Sequence, residues 1–244
     1  MLWNASKLRG LAIEATDGQI GTVDDLLFDD RTWQLRWLVV HTGLWLLGRK
    51  VLLPLSALGR PSLETHNFTV QLTKQQVKDS PDVTADLPVS RQLEARVYDH
   101  YNWDPYWQTG FSTMANVVCT PVYMPPLDDA GPQRQIEEKD DLHLRSILEL
   151  IGYHMEAQDG AIGHAEDFII DDANWHIGPV IIDTKNWLPG QRVLISSQIV
   201  REIDWVGRSI FLQTNIEKIK ASPPYHSGMA EDGPLGRVEA PPGA

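Results

Sequence analysis

Apolar residues in this chain fall into short runs bounded by polar turns, not into long helical stripes. Gly10 to Thr16 (GLAIEAT), Gln19 to Phe28 (QIGTVDDLLF) and Gln34 to Thr42 (QLRWLVVHT) are rich in branched and aromatic residues, and shorter runs follow at VLLP and FTVQL. Runs of this length and spacing predict β-strands. The same succession then returns. DGQIGTVDDLLFDDRTW, from Asp17 to Trp33, is matched without a gap by DGAIGHAEDFIIDDANW, from Asp159 to Trp175. The shift of 142 positions that carries Asp17 onto Asp159 also carries Gly10, Glu14, Thr42, Trp45, Leu46, Gly48, Val51 and Leu52 onto identical residues. A solenoid unit repeats at roughly 20 to 50 residues, so a period this long predicts a duplicated domain.

Each copy predicts the same elements. Asp17-Gly18 and Asp159-Gly160 read as two-residue hairpin turns, and Asp29 to Thr32 and Asp171 to Asn174 as polar turns whose short side chains bond their own backbone. His176 to Thr184 mirrors the strand at Gln34, with Pro179 in place of Trp37 and so expected at an edge or a bulge. Gly21 and Gly163, inside strands, predict a bulge or the tight coiling that a small barrel needs. Asp25 and Asp167 share strand parity with Val23/Ala165 and Leu27/Ile169, so they are expected to lean inward and accept backbone N–H groups. About six strands per copy predict a barrel or sandwich. Thr73 to Gln76 and Thr214 to Glu217 have capping-box form, so each copy should end in one short helix, stopped at Ser80-Pro81 and Ser222-Pro223.

The order of hairpin, IG-x-(V/A)-x-D, hydrophobic triplet, double Asp, Trp, Val/Ile-rich strand and Trp-containing turn resembles the PRC-barrel family. That family is named after the photosynthetic reaction centre H subunit, and its barrel is also the second domain of a ribosome-maturation factor. The likeness covers residues 5 to 82 and 144 to 224, and GYHMEAQDGAIGHAEDFIIDD, NWLPGQRVLIS and HYNWDPYW carry it furthest. It implies a mainly β fold of two tandem small PRC-type barrels, each ending in a short helix and joined by a helix-plus-coil linker. It implies a structural motif at Asp17, Gly18, Gly21, Asp25, Asp29 and Trp33, repeated at Asp159, Gly160, Gly163, Asp167, Asp171 and Trp175. It brings no shared catalytic set.

Domain limits follow: a first barrel at 1–82, a linker at 83–142, a second barrel at 143–224 and a disordered tail at 225–244, with Trp3 packing on the first barrel. Ser90 to Tyr101 places Leu93, Val97 and Tyr101 on one stripe and predicts a helix at about 90–101. Disordered segments are poor in aromatics. Tyr98, Tyr101, Trp103, Tyr106 and Trp107 therefore predict a segment that docks, either on its own barrels or on another chain. Trp45 and Trp187, each in a Gly-containing turn, either lid their own barrel or anchor an interface.

Charge narrows the function. With 33 acidic against 21 basic residues the net charge is −12, which opposes nucleic acid and anionic lipid alike. No apolar run is long enough to span a bilayer and MLWNASKLRG lacks a signal-peptide core, so no membrane insertion and a cytoplasmic location are expected. The one cysteine, Cys119, cannot form an internal disulfide. His143, His154 and His164 invite a metal reading, yet the first-copy counterparts of the last two are Ala12 and Thr22, so surface histidines are expected. Asp24 and Asp25 point to opposite faces of one strand, calcium-loop spacing is lacking, and no nucleophile elbow, phosphate loop, dinucleotide fingerprint or H-E-x-x-H occurs. The expectation is a non-enzymatic interaction or scaffold module without cofactor or metal, binding a protein partner or itself, with a homodimer possible. Two alternatives stand beside it: an accessory subunit like the reaction-centre H subunit, and an enzyme using acid and His groups of the second barrel. Convergence of Asp171, Asp172, Glu166 and His164 would favour the enzyme.

Overall fold

The computed structural model describes residues 1–62, 65–80, 97–101, 144–184 and 191–225. The first set of strands is β1 (Leu2–Asn4), β2 (Ala12–Ala15), β3 (Gly18–Asp29), β4 (Gln34–His41), β5 (Lys50–Pro54) and β6 (Asn67–Thr69), with helices α1 (Ala5–Leu8) and α2 (Lys74–Lys78). Residues 97–101 form a helical turn, α3. The second set is β7 (Leu144–Ser146), β8 (His154–Ala157), β9 (Gly160–Asp171), β10 (His176–Asp183), β11 (Arg192–Ser196), β12 (Val200–Asp204), β13 (Ser209–Leu212) and α4 (Ile216–Lys220). Shifting the first set by 142 positions reproduces the starts of the second, from β1 onto β7 to α2 onto α4. Among the described residues, β12 alone has no strand as counterpart: the matching stretch of the first half makes the isolated bridges Leu58 to Val70 and Ser62 to Asn67.

Among the described residues all the strands belong to one 13-stranded sheet, with the order β12-β13-β8-β9-β10-β4-β3-β2-β6 and β1, β11, β5 and β7 off that path. The fold is mainly β, and the sheet curls into a half-barrel. Its two halves mirror each other across the joint between β10 and β4. There Gln34 faces His176, the amide of Leu35 donates to the carbonyl of Trp175 at 2.9 Å, and the amide of Ile177 donates to the carbonyl of Trp33 at 2.8 Å.

The opening strand of each half crosses over. β1 pairs antiparallel with β9, Trp3 facing Ile170, and β7 pairs antiparallel with β3, Arg145 facing Phe28. Trp3, expected on the first barrel, therefore lies on a strand paired with the second half, and its ring belongs to the cluster that both halves share. Backbone pairing is indifferent to which copy supplies the partner, so residue type does not announce such an exchange. The core is shared for the same reason. Buried Ile13, Val40 and Phe68 of the first half and Met155, Phe168 and Ile210 of the second belong to one continuous hydrophobic cluster.

Local devices close each half. The hairpin turns sit one residue earlier than expected, because Ala15 pairs with Gly18 and Ala157 with Gly160, leaving Thr16-Asp17 and Gln158-Asp159 as turn residues. Gly18 (φ 122°) and Gly160 (φ 147°) lie instead at the start of a strand in conformations that disfavour a side chain. The freed Asp17 carboxylate accepts the amide of Lys74 at 2.8 Å, and Asp159 accepts that of Ile216 at 2.8 Å, so each hairpin turn holds the first turn of its own closing helix. Thr73 caps α2 in a full capping box with Gln76. α4 is capped by Asn215, not Thr214, its side chain accepting from Lys218 N; Asn215 is the residue that the repeat places on Thr73. Pro179 sits where β10 slips against β9 between Ile177 and Val180, at the bulge expected of it.

Two smaller clusters cover the outer face. On the first half Leu27, Trp37, Val39, Leu52 and Leu144 receive Val97 and Tyr98 from α3, with Tyr101 packed alongside. On the second, Ile169, Ile181 and Leu194 receive Leu2 and Tyr225. Tyr225 belongs to the segment 223–225, which adds to the free edge of β11: the amide of Leu194 donates to Pro223 O and that of Tyr225 to Arg192 O. Of the expected linker element, 90–96 lies outside the described residues, as do Leu93, Trp103, Tyr106 and Trp107.

Candidate interaction surface

Among the described residues three large apolar side chains stand almost wholly in solvent: Val206, in the turn between β12 and β13, and Leu44 and Leu47, which share one loop with the partly exposed Trp45. Between β4 and β5 the chain forms a 3-10 turn at Gly43–Leu46, stopped by Leu47 in the left-handed region at φ 55°. Leu44 and Leu47 are 97% and 96% exposed and Trp45 is 37% exposed. The loop is nonetheless braced. Gly48 N donates to Gly43 O at 2.6 Å, and Thr42 donates to Arg49 O through its amide at 3.0 Å and its hydroxyl at 2.7 Å. The Trp45 indole donates to the carbonyl of Ile20, and the Arg49 guanidinium reaches the carbonyls of Lys78 (3.0 Å) and Ser80. Lys50 pairs with Asp24 at 2.8 Å. Trp45 is thus half lid and half surface. On the second half the neck recurs, Thr184 Oγ1 donating to Gln191 O at 2.7 Å, while Trp187 lies outside the described residues.

The paired aspartates tie the halves together. Register slips beside Asp25 and Asp167 break the strand alternation, so Val23 and Ala165 enter the main core while Leu27 and Ile169 face the outer clusters. Asp25 Oδ1 accepts the amide of Leu26 at 2.7 Å and the hydroxyl of Ser146 at 2.9 Å. Asp167 accepts the amides of Phe168 (2.8 Å) and Ser6 (3.1 Å), the Asn4 side-chain amide (3.1 Å) and the Ser6 hydroxyl. Asn4 and Ser146 occupy the same position of the repeat, so each half's buried carboxylate receives the other half's opening strand. Residue identity hid this, since Asn stands in one copy and Ser in the other. Burial pushes the Asp25 carboxyl above the ordinary carboxylate value, against the lowering effect of the Ser146 and Leu26 hydrogen bonds.

Gly21 and Gly163 mark close backbone approaches: a Cβ would lie 2.3 Å from His41 O at the first and 2.0 Å from Asp183 O at the second. Trp33 and Trp175 end the β3–β4 and β9–β10 turns at φ 55° and 56°, their amides donating to Asp29 O and Asp171 O at 2.8 and 2.7 Å. The Asp29 carboxylate takes the amides of Arg31 and Thr32, and that of Asp171 the amide of Ala173. Trp33 packs on Phe28 at 5.4 Å and across the joint on Phe168 at 6.4 Å, and Trp175 reaches Phe68 of the other half at 6.2 Å.

Asp171 and Asp172 share the N-terminal ammonium, which pairs with Asp172 and lies 3.9 Å from Asp171, while Glu166 and His164 have other partners. Glu166 is pushed up by burial and held back by Arg192 at 2.6 Å, Asp172 takes the indole N–H of Trp3 at 3.1 Å, and Asp171 serves its turn. His154 and His164 are exposed cross-strand neighbours with ring centroids 4.7 Å apart. Among the described residues no group of three His, Cys, Asp or Glu is placed to hold a metal ion, and no helix is long and apolar enough to cross a membrane. His143 and Cys119 lie outside them.

No curated protein matches the chain. A family model does: residues 4–77 match the PRC-barrel domain, a span that runs from the end of β1 into α2 and takes in the hairpin, the double Asp, Trp33 and the apolar loop. The chain carries a PRC-barrel domain at residues 4–77.

Proposed function

We propose that this protein is a non-catalytic interaction module of two PRC barrels, the second formed around residues 144–225, which holds a protein partner through the apolar loop at Gly43–Gly48. The recurrence of elements and hydrogen bonds at one offset supports the second barrel. The observation that carries the function is the pair of leucines standing almost wholly in water on a braced loop. Solvent selects polar residues or glycine at such a tip, and a leucine in the left-handed region costs roughly 1–2 kcal/mol. Exposed apolar side chains flanking a half-buried Trp have the character of an interface anchor. The tip is convex, so its counterpart is an apolar pocket. The net charge of −12 favours a partner with a basic rim, and Lys50 adds little opposing charge because Asp24 pairs with it.

The test is a double substitution, Leu44→Ser with Leu47→Asn, the second chosen because Asn tolerates the left-handed conformation. Proteins cross-linked to the wild-type chain in cells should fall at least tenfold in recovery on the variant, with an unchanged melting temperature. Equal recovery from a stable variant contradicts the reading.

A further inference from the structure

We propose that the surface joining residues 1–80 to residues 144–225 is self-complementary, and that the partner it fits is a second copy of the first half of this chain. In a two-fold interface, whenever residue i of one member meets j of the other, j also meets i. The contacts across this joint obey that rule under the 142 shift. Strand β1 meets β9 as β7 meets β3, Leu35 meets Trp175 as Ile177 meets Trp33, and Gln34 facing His176 lies on the axis. Residues 1–80 therefore already present both surfaces of such an interface: an arm and a seat.

The chemistry of the seat fits as well as its geometry. The arm is held on the second half by Asp167, which takes Asn4 and Ser6, and by Asp172, which takes the indole of Trp3. The same positions of the first half are Asp25 and Asp30, so the arm of another copy would find each acceptor in place. Backbone pairing against Leu27–Asp29 is the register that Leu144–Ser146 now uses. Arg9-Gly10 supplies a pivot between arm and barrel, since Gly10 has φ 82° and nothing near its missing Cβ.

The experiment uses the whole chain with a protease site inserted between residues 110 and 140. After cleavage, light scattering should give one particle of the uncleaved mass; separated fragments overturn the proposal. Cleaved complexes with and without an affinity tag at the end of the first fragment are then mixed in mild urea and diluted. The tag should recover untagged first fragment, and Asp25→Ala in both partners should cut that recovery at least tenfold while cutting recovery of the second fragment by a smaller factor, because the like pair loses both of its carboxylate clamps and the unlike pair keeps Asp167. If the tag recovers untagged second fragment, so that exchange has taken place, but no untagged first fragment, the interface is specific to unlike halves and the proposal fails. Recovery of first fragment that is indifferent to Asp25→Ala also overturns it.

Discussion

Asp25 and Asp167 hold the same position in the repeat but differ in what surrounds them. Asp167 has donors from Asn4, Ser6 and Phe168, whereas Asp25 has the Ser146 hydroxyl and the Leu26 amide. Asp167→Ala strands buried donors and should lower stability by about 2–4 kcal/mol in urea titration. Asp25→Asn should change it by no more than about 1 kcal/mol, because the charge it removes is one that burial already disfavours. The sign of the pH dependence follows from the raised carboxyl of Asp25. With the folded value above the unfolded one, the folded state holds the proton more tightly, so this group favours folding below its ordinary value of 3.8 and withdraws that contribution as pH rises through the folded value. Comparing stability from pH 3 to pH 7 in wild type and Asp25→Asn should remove that part of the slope; identical slopes refute the assignment. The inward lean read from strand parity missed the bulges at these residues, and a bulge leaves no mark in an apolar-polar pattern.

At the scale of elements, β2 to β6, β8 to β11 and β13 were legible because apolar runs, Gly turns and Asp turns recur in step, whereas the short strands β1, β7 and β12 were not. The paired glycines have a sharper role than barrel coiling. A methyl group at Gly21 would meet His41 O and one at Gly163 would meet Asp183 O, both backbone atoms that cannot step aside alone. Gly21→Ala and Gly163→Ala should each lower stability by about 1–3 kcal/mol, with Gly163 worse because its φ of 140° also excludes a side chain. Equal stability of Gly163→Ala and wild type in thermal unfolding contradicts this. The closing helices teach a different lesson. Thr214 and Glu217 imitate a capping box, yet the cap is Asn215, because the hairpin carboxylate of Asp159 fixes where α4 begins. Tertiary position outranked the local motif. The apolar tip escaped sequence reasoning at Leu44 and Leu47 because exposed and buried leucines read alike until the turn places them; only Trp45 stood out.

For the whole molecule, the repeat made two like halves legible but not their entanglement. Strand pairing is made by backbone groups, so β1 on β9 and β7 on β3 carry no residue signature, and Asn4 against Ser146 conceals the matched clamps. A single core running through both halves should unfold as one unit. Calorimetry is expected to show one transition with matching calorimetric and van't Hoff enthalpies, and two separable transitions would deny the shared core. The exchange itself is tested most directly by cross-strand disulfides in a Cys119→Ser background. Leu2 faces Asp171, and directly opposed antiparallel residues lie about 4.5–5.5 Å apart at Cα, within disulfide reach. Leu2→Cys with Asp171→Cys should oxidise to an intramolecular bond in the monomer, whereas Leu2→Cys with Asp29→Cys should not. Closure of the second pair and not the first would place β1 on its own half and contradict the exchanged architecture.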